Sequence, residues 1–224
     1  MGTLLNRRRY MGGGSSSPYD AEIEWLGTAE EDYDTYKRSG QYIDTGLYGS
    51  LDLDFEITFM FTRLRNKDRD NEGSVFGGRS EWNSKIFQLS TYSRDTNSLG
   101  HFAYANYGWN NGYAPTLKLS ANNILTVKKE GRSFTNAAGN MTTLQNTSFQ
   151  CVYQIYLFCL HSANDGEFAK YLRLYSAKFS RNGVLLRDYI PVRVGTTGYL
   201  YERVNKTLCG NEGTGDFILG PDKT

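Results

Sequence analysis

Residues 51–62 read Leu51-Asp52-Leu53-Asp54-Phe55-Glu56-Ile57-Thr58-Phe59-Met60-Phe61-Thr62. Leu53, Phe55, Ile57, Phe59 and Phe61 alternate with Asp52, Asp54, Glu56, Thr58, Met60 and Thr62. Period two is the signature of a strand, because successive side chains point to opposite faces of a sheet. One face here is apolar and aromatic and the other is wet, as in an antiparallel sheet covered on one side. The stretch predicts a strand whose odd-numbered residues enter a core.

Working outward, shorter runs of the same kind follow one another. Ile23, Trp25 and Leu26 make a short first strand. Further strands are expected over 74–76, 85–92, 100–105, 123–129 and 154–160, with a last one over 217–219. Clusters of turn residues separate them. Lys170 to Val194 reads as a hairpin around Asn182-Gly183, a pair that supplies the positive φ angles of tight turns. A two-residue turn would set Lys178 against Arg187, and like charges across a ladder repel. A three-residue turn, Arg181-Asn182-Gly183 with a bulge, opposes Phe179 to Leu185 and Tyr175 to Tyr189 and is the expected form. Pro191 has no amide hydrogen and is expected at an edge or strand end. Glu30 to Arg38 alone shows weak helical periodicity, within an acidic turn or loop. Many short strands with regular turns define an all-β chain, a sandwich or a barrel.

Composition agrees. The 224 residues include 17 Tyr, 12 Phe and 24 Gly but 4 Pro, a mixture that favours strands and turns. Lys plus Arg is 25 and Asp plus Glu is 24, so the net charge of +1 points to neither nucleic acid nor an acidic surface as partner. No apolar run approaches the ~20 residues that span a bilayer, so no membrane contact is expected. Three arginines near the N-terminus are not followed by the apolar segment of a secretory signal. Cys151, Cys159 and Cys209 fit no zinc spacing and read as reduced thiols, the first two in the core.

Residues 1–18 differ from the rest. Leu4 and Leu5 precede Arg7, Arg8, Arg9 and Tyr10, and a Gly/Ser run, Gly12 to Ser17, follows. Six such residues span roughly 13 Å as flexible coil. Two readings stand: a disordered tail or expression remnant, or an anchoring arm that orders on a neighbouring subunit. The division is therefore an arm and linker over 1–18 and a β domain over 19–224.

Several stretches hold residue types that could carry chemistry. Asp52, Asp54 and Glu56 share one strand face, and retaining glycosidases need two carboxyl groups ~5–5.5 Å apart, a spacing that i and i+2 positions approach. The same residues suit an ordinary solvent face or an edge guard, or a calcium site; the solvent face is adopted and no catalytic residue is assigned. His101 and His161, the only histidines, show no metal-ligand spacing. Gly210 to Gly220 lacks the Gly-Lys-Ser/Thr of a phosphate loop and reads as a turn before the last strand. No metal or cofactor is expected. Tyr104, Asn106, Tyr107, Trp109, Asn110 and Tyr113 form the most suggestive binding stretch. Aromatic faces stack on sugar rings and Asn serves hydroxyls, while Tyr and Trp equally suit subunit contacts.

Two parts of the chain carry a resemblance. One is Ser39-Gly40-Gln41-Tyr42-Ile43-Asp44-Thr45-Gly46. The other is Leu186-Arg187-Asp188-Tyr189-Ile190-Pro191-Val192-Arg193, then Gly198-Tyr199-Leu200-Tyr201-Glu202-Arg203-Val204 and Cys209-Gly210-Asn211-Glu212-Gly213-Thr214-Gly215-Asp216-Phe217. Over about residues 21–220 the chain resembles the concanavalin-A-like, laminin-G-like jelly-roll modules found in structural proteins of tailed, crAss-like gut phages and in surface proteins of their hosts. The resemblance implies a two-sheet antiparallel sandwich with jelly-roll topology, binding glycans or proteins without catalysis. Arg187 and Asp188 are implied to pair strands or stabilise a turn. Cys209 stands where an aromatic is expected, and Glu202 where Asp is expected.

The expected function is that of a non-catalytic structural protein of a phage virion, head- or tail-associated and made in the host cytoplasm. Its arm would contact other virion proteins, and it would form a homo-oligomer, with a trimer favoured. A glycan-binding adhesion module, directed at host surface glycan, is the alternative, and a glycoside hydrolase the third reading.

Overall fold

The computed structural model describes residues 17–28, 40–62, 73–81, 84–92, 99–105, 117–118, 121–163, 165–167 and 171–224. The arm residues Leu4, Leu5, Arg7, Arg8, Arg9 and Tyr10, and the weak helical stretch 30–38, lie outside them.

The early strands are β1 (Ala21–Glu22), β2 (Leu26–Gly27), β3 (Ile43–Ser50), β4 (Leu53–Phe61), β5 (Gly73–Glu81), β6 (Ser84–Tyr92), β7 (Leu99–Ala105) and β8 (Leu117–Lys118). The middle of the chain adds β9 (Leu125–Glu130), β10 (Ser133–Thr135), β11 (Met141–Thr143), β12 (Gln150–Leu157), β13 (Leu160–Ser162) and β14 (Asp165–Glu167). The last are β15 (Leu172–Arg181), β16 (Val184–Val194), β17 (Thr197–Glu202), β18 (Thr207–Cys209) and β19 (Ile218–Leu219). The described residues contain no helix. One sheet runs β11-β10-β9-β4-β15-β16-β17-β18, with β2 beside β15 and β19, and β1 beside β16. The other runs β14-β13-β5-β6-β7-β8, with β12 joining β3 to β5. Pairing is antiparallel except where β13 lies parallel to β5. The chain is thus all-β, with two antiparallel sheets packed as a sandwich.

Strand β4 behaves as its alternation requires. Leu53, Phe55, Ile57, Phe59 and Phe61 are all buried. The Phe55 ring lies 4.9 Å from Phe76 on β5, 5.9 Å from Phe87 on β6 and 5.1 Å from Phe102 on β7, so this one strand meets the opposite sheet across its width. Burying each such ring contributes about 1.5–3 kcal/mol, and edge-on ring pairs add about 0.5–1.5 kcal/mol. On the outer face, Glu56 lies between Lys128 and Lys178 on neighbouring strands, and the Thr58 hydroxyl bonds that of Thr126 at 2.9 Å. Met60 departs from the expected wet face. It is buried, within 4.0 Å of the Tyr175 hydroxyl.

Three expectations are corrected. The hairpin turn holds two residues, Asn182 (φ 51°) and Gly183 (φ 78°), with Arg181 opposite Val184. The bulge comes one step later: Ser180 faces Leu185 but Phe179 faces Arg187, so Leu186 is the extra residue. Lys178 therefore faces Asp188 and Ala177 faces Tyr189. The like-charge pair is avoided as expected, but by a shift of register in the opposite direction. Second, Pro191 is inside β16, opposite Leu200 of β17. It falls between the last β15 partner, Tyr189, and the first β1 partner, Val192, and its carbonyl accepts the Ile23 amide at 3.0 Å. Third, the strand expected over 154–160 is split. Phe158 takes a left-handed φ of 73°, its amide bonds the Val75 carbonyl at 2.8 Å, and β12 ends before it.

Candidate functional site

The stretches that carry the family resemblance meet in space. The Tyr42 amide donates to Asn211 Oδ1 at 3.0 Å, the Glu212 amide to the Tyr42 carbonyl at 3.0 Å, and Gln41 Nε2 to the Thr214 carbonyl at 3.0 Å. Arg187 Nε donates to the Thr45 carbonyl at 3.0 Å, fixing β16 to β3 of the other sheet. Asp188 Oδ2 accepts from Arg203 Nε at 3.0 Å and Nη2 at 2.6 Å. Glu202, buried, accepts the amides of Asp188 (3.0 Å), Val204 (2.9 Å) and Asn205 (2.8 Å), and so closes the β17–β18 turn. Asp in its place would be one methylene shorter and could not span these three donors with the same backbone. These residues fasten one stretch of backbone to another, and Asp188 Oδ1 alone among their buried atoms has no hydrogen-bond partner.

Beside this interlock is a hollow of about 330 Å³ that includes Asp44, Cys209 and Glu212. Burial, with Asp44 nearby, raises the Glu212 carboxyl above its ordinary range. Burial pushes the Cys209 thiol up to about 11, so it is protonated at neutral pH and is no nucleophile. Among the described residues no group of three or more His, Cys, Asp or Glu is placed to hold a metal ion.

The larger concavity lies at one end of the sandwich, where four connections converge. They are the β3–β4 turn (Ser50, Leu51, Asp52), the β9–β10 turn (Gly131, Arg132), the β11–β12 loop (Asn146 to Gln150) and the β15–β16 turn (Arg181, Asn182). The cleft measures about 680 Å³. Its acidic side is built on a fully buried Lys129. Lys129 stands on β9 opposite Phe55 and faces inward, with Nζ 2.7 Å from the Leu51 carbonyl and 2.9 Å from Asp54 Oδ1. The Gly131 amide donates to the same Asp54 oxygen at 2.8 Å. Burial lowers the Lys129 pKa, and the bond to Asp54 opposes that. Asp52 pairs with Arg181 Nε at 3.3 Å and accepts a short bond from the Ser50 hydroxyl. Arg132 is held by Nε, which donates to the Leu144 carbonyl at 2.9 Å. Phe149 closes the inner side, its ring 6.4 Å from both Phe87 and Tyr104.

Of the three carboxylates of the acidic strand, Asp52 and Asp54 line this cleft, and Glu56 lies outside it, 3.6 Å from Lys178. Tyr104 is buried, stacked 5.8 Å from Phe102, and its hydroxyl accepts the Gln145 amide at 2.8 Å. Its ring supports the loop behind the cleft rather than facing a ligand. Asn106, Tyr107, Trp109, Asn110 and Tyr113 lie outside the described residues. His161 stacks on Tyr156 at 3.8 Å with Nδ1 3.0 Å from the Gln154 carbonyl, a structural placement. Arg132, Phe149 and Gln150 were not singled out in the sequence, and Asn146 stands out there only as the start of an Asn-x-Ser/Thr run that ends at Ser148; they meet the acidic strand only through the fold.

These features define an all-β sandwich with a polar end cleft. No protein-family model matches the chain, and no curated protein is significantly similar to it.

Proposed function

We propose that this chain is a non-catalytic structural module of a tailed-phage virion, a head- or tail-associated jelly roll held to other virion proteins by residues 1–18. The observation that carries the non-catalytic part is the pairing of the acidic strand. Asp52 meets Arg181, Asp54 meets Lys129 and the Gly131 amide, and Glu56 meets Lys178. A retaining pair needs one carboxyl group free to give a proton and a second free to attack, whereas each of these three is engaged by a cation of the fold. The virion assignment is supported by the resemblance of the C-terminal stretches, in which Arg187, Glu202 and Asn211 bond backbone groups of the fold. Repetition of the module by symmetry on a particle suits a trimer or ring. The test is quantitative mass spectrometry of purified particles of the phage that encodes the chain. Fixed, multi-copy stoichiometry is expected; absence from particles overturns the proposal.

A second reading, a glycan-binding adhesion module, is favoured by one observation: the end cleft is open, polar and edged by an aromatic ring. Both readings are compatible in one molecule that projects from a particle and touches a surface.

A further inference from the structure

The outer face of the first sheet changes character along its length. Across β9, β4, β15 and β16 it carries Lys128, Glu56, Lys178 and Asp188, each opposite the next on adjoining strands. This row alternates in sign and pairs within the sheet, as an ordinary solvent face does. Toward the β16–β17 turn the same face becomes aromatic. Tyr189 and Leu200 point into the core, so Ile190 and Val192 of β16 point outward, opposite Tyr201 and Tyr199 of β17. Both aliphatic residues are nevertheless buried. The Tyr19 ring lies 5.1 Å from that of Tyr201. Next along the chain from β1, the Arg173 guanidinium lies 3.9 Å over the Trp25 ring, and the Tyr175 hydroxyl rests against buried Met60. Tyr19, Trp25, Tyr175, Tyr199 and Tyr201 are each only half-buried. Aromatic rings over an apolar underlayer, with an arginine among them, are the composition of an interface core and of its hot spots.

The charges of this corner say which partner fits it. Glu22 is paired with Lys223 at 3.6 Å and Arg193 with Asp222 at 2.6 Å. Glu24 and Arg173 are left over. Both act electrostatically on the Tyr175 hydroxyl and so lie to either side of it, and neither side chain forms an ion pair or hydrogen bond among the described residues. A wholly apolar partner would bury both charges unpaired. An acidic or a basic partner would meet one and repel the other. One acid and one base flanking a single ring are self-complementary: a twofold axis near Tyr175 sets Glu24 of each copy against Arg173 of the other, so the pair forms twice.

We propose that this aromatic corner is a twofold interface between two copies of the chain, with Glu24 and Arg173 paired across it and Trp25, Tyr175, Tyr199 and Tyr201 as its anchors. The inference deepens the oligomer reading above by naming one surface and one symmetry. It does not depend on where a particle holds the module.

The test is sedimentation equilibrium of the full chain, followed by charge exchange at the two positions. The full chain should show a reversible monomer–dimer equilibrium. Glu24→Arg sets like charges together twice, and so does Arg173→Glu. Each should weaken dimerisation about tenfold or more. Thermal unfolding of the Glu24→Arg monomer should not move, because that side chain is exposed and has no partner to lose. An equimolar mixture of the two variants restores opposite charges at both positions. With one variant isotope-labelled, native mass spectrometry should show the mixed dimer in preference to either pure one. Recovery by mixing also separates a lost contact from a lost fold. The proposal is overturned if the full chain is monomeric throughout the micromolar range, if the single variants dimerise as well as the natural chain, or if mixing restores nothing. A chain that dimerises in this way but is absent from particles refutes the virion reading alone. One that is present in particles at fixed stoichiometry, yet whose association ignores both charge changes, refutes this proposal alone.

Discussion

At the scale of single residues, the chain places ionisable groups where their charge state matters to the fold. Lys129 is fully buried, with Asp54 and the Leu51 carbonyl as its ligands. Removing one member of such a pair leaves the other uncompensated, at a cost of about 3–5 kcal/mol. Lys129→Ala should therefore lower stability by about 3 kcal/mol or more in urea titrations, whereas the exposed Lys128→Ala should change it by less than about 1 kcal/mol; equal effects would sink this account of the acidic side of the cleft. A second prediction concerns alkaline pH. Burial raises the Cys151 thiol from 9.0 to about 12, and the thiol donates to the Lys85 carbonyl at 2.9 Å. A folded pKa above the unfolded one favours the protonated form of the native state. Its contribution is therefore complete below pH about 9 and is lost as pH rises toward about 12. Tyr189 and Cys209, both raised by burial, act in the same direction. Stability should fall across this alkaline window, and Cys151→Ala should make the fall shallower; a slope unchanged by the substitution would show that Cys151 does not titrate as described.

At the scale of elements, two glycines separate backbone strain from steric exclusion. Gly183 closes the β15–β16 turn at φ 78°, and a Cβ there would meet nothing within 4 Å. Gly183→Ala should cost about 1 kcal/mol, the left-handed penalty alone. At Gly78 on β5 a Cβ would lie 2.7 Å from the Tyr153 carbonyl oxygen and 3.0 Å from that of Gln154, both on β12. Gly78→Ala must push β12 from its place, so its loss of thermal stability should be several times larger; comparable shifts in Tm would contradict the strand packing. The same hairpin shows what was legible in the sequence. Asn182-Gly183 announced the turn, and the alternation in β4 announced its buried face, because both are local patterns with a local cause. The position of the bulge was not legible. It is set by Lys178 meeting Asp188 while Arg187 reaches across to the Thr45 carbonyl of the other sheet, a contact 142 residues away in sequence. Pro191 was misplaced for the same reason: its tolerance depends on which strand lies beside β16 at that point.

At the scale of the whole molecule, the candidate site is a product of topology. Asp52 and Asp54 stood out in the sequence as an acidic strand face, but their partners, Arg132, Asn146, Gln150 and Arg181, come from three other connections that share only one end of the sandwich. No spacing rule links them, so the cleft could be read only from the fold. The opposite holds for the proposed anchoring arm. Residues 1–18 announce themselves by composition, and the next two residues, Tyr19 and Asp20, are tied to the sandwich. The Tyr19 ring packs 5.1 Å from Tyr201, the Asp20 amide bonds the Arg193 carbonyl at 2.9 Å, and Asp20 Oδ2 accepts the Gly195 amide at 2.6 Å. Deleting residues 1–18 removes none of these bonds, and the β1–β16 ladder that follows keeps both its register pairs, Ala21 with Arg193 and Glu22 with Val192. The shortened chain should thus unfold at the same urea midpoint as the full chain and keep any saccharide affinity of the end cleft, while failing to join particles assembled in its presence. Loss of stability on deletion would make the arm part of the sandwich. Normal incorporation of the shortened chain would place the contact with the particle on the sandwich itself, where an outer strand such as β11 or β18, each paired on one side only among the described residues, offers the backbone donors and acceptors that a neighbouring subunit needs.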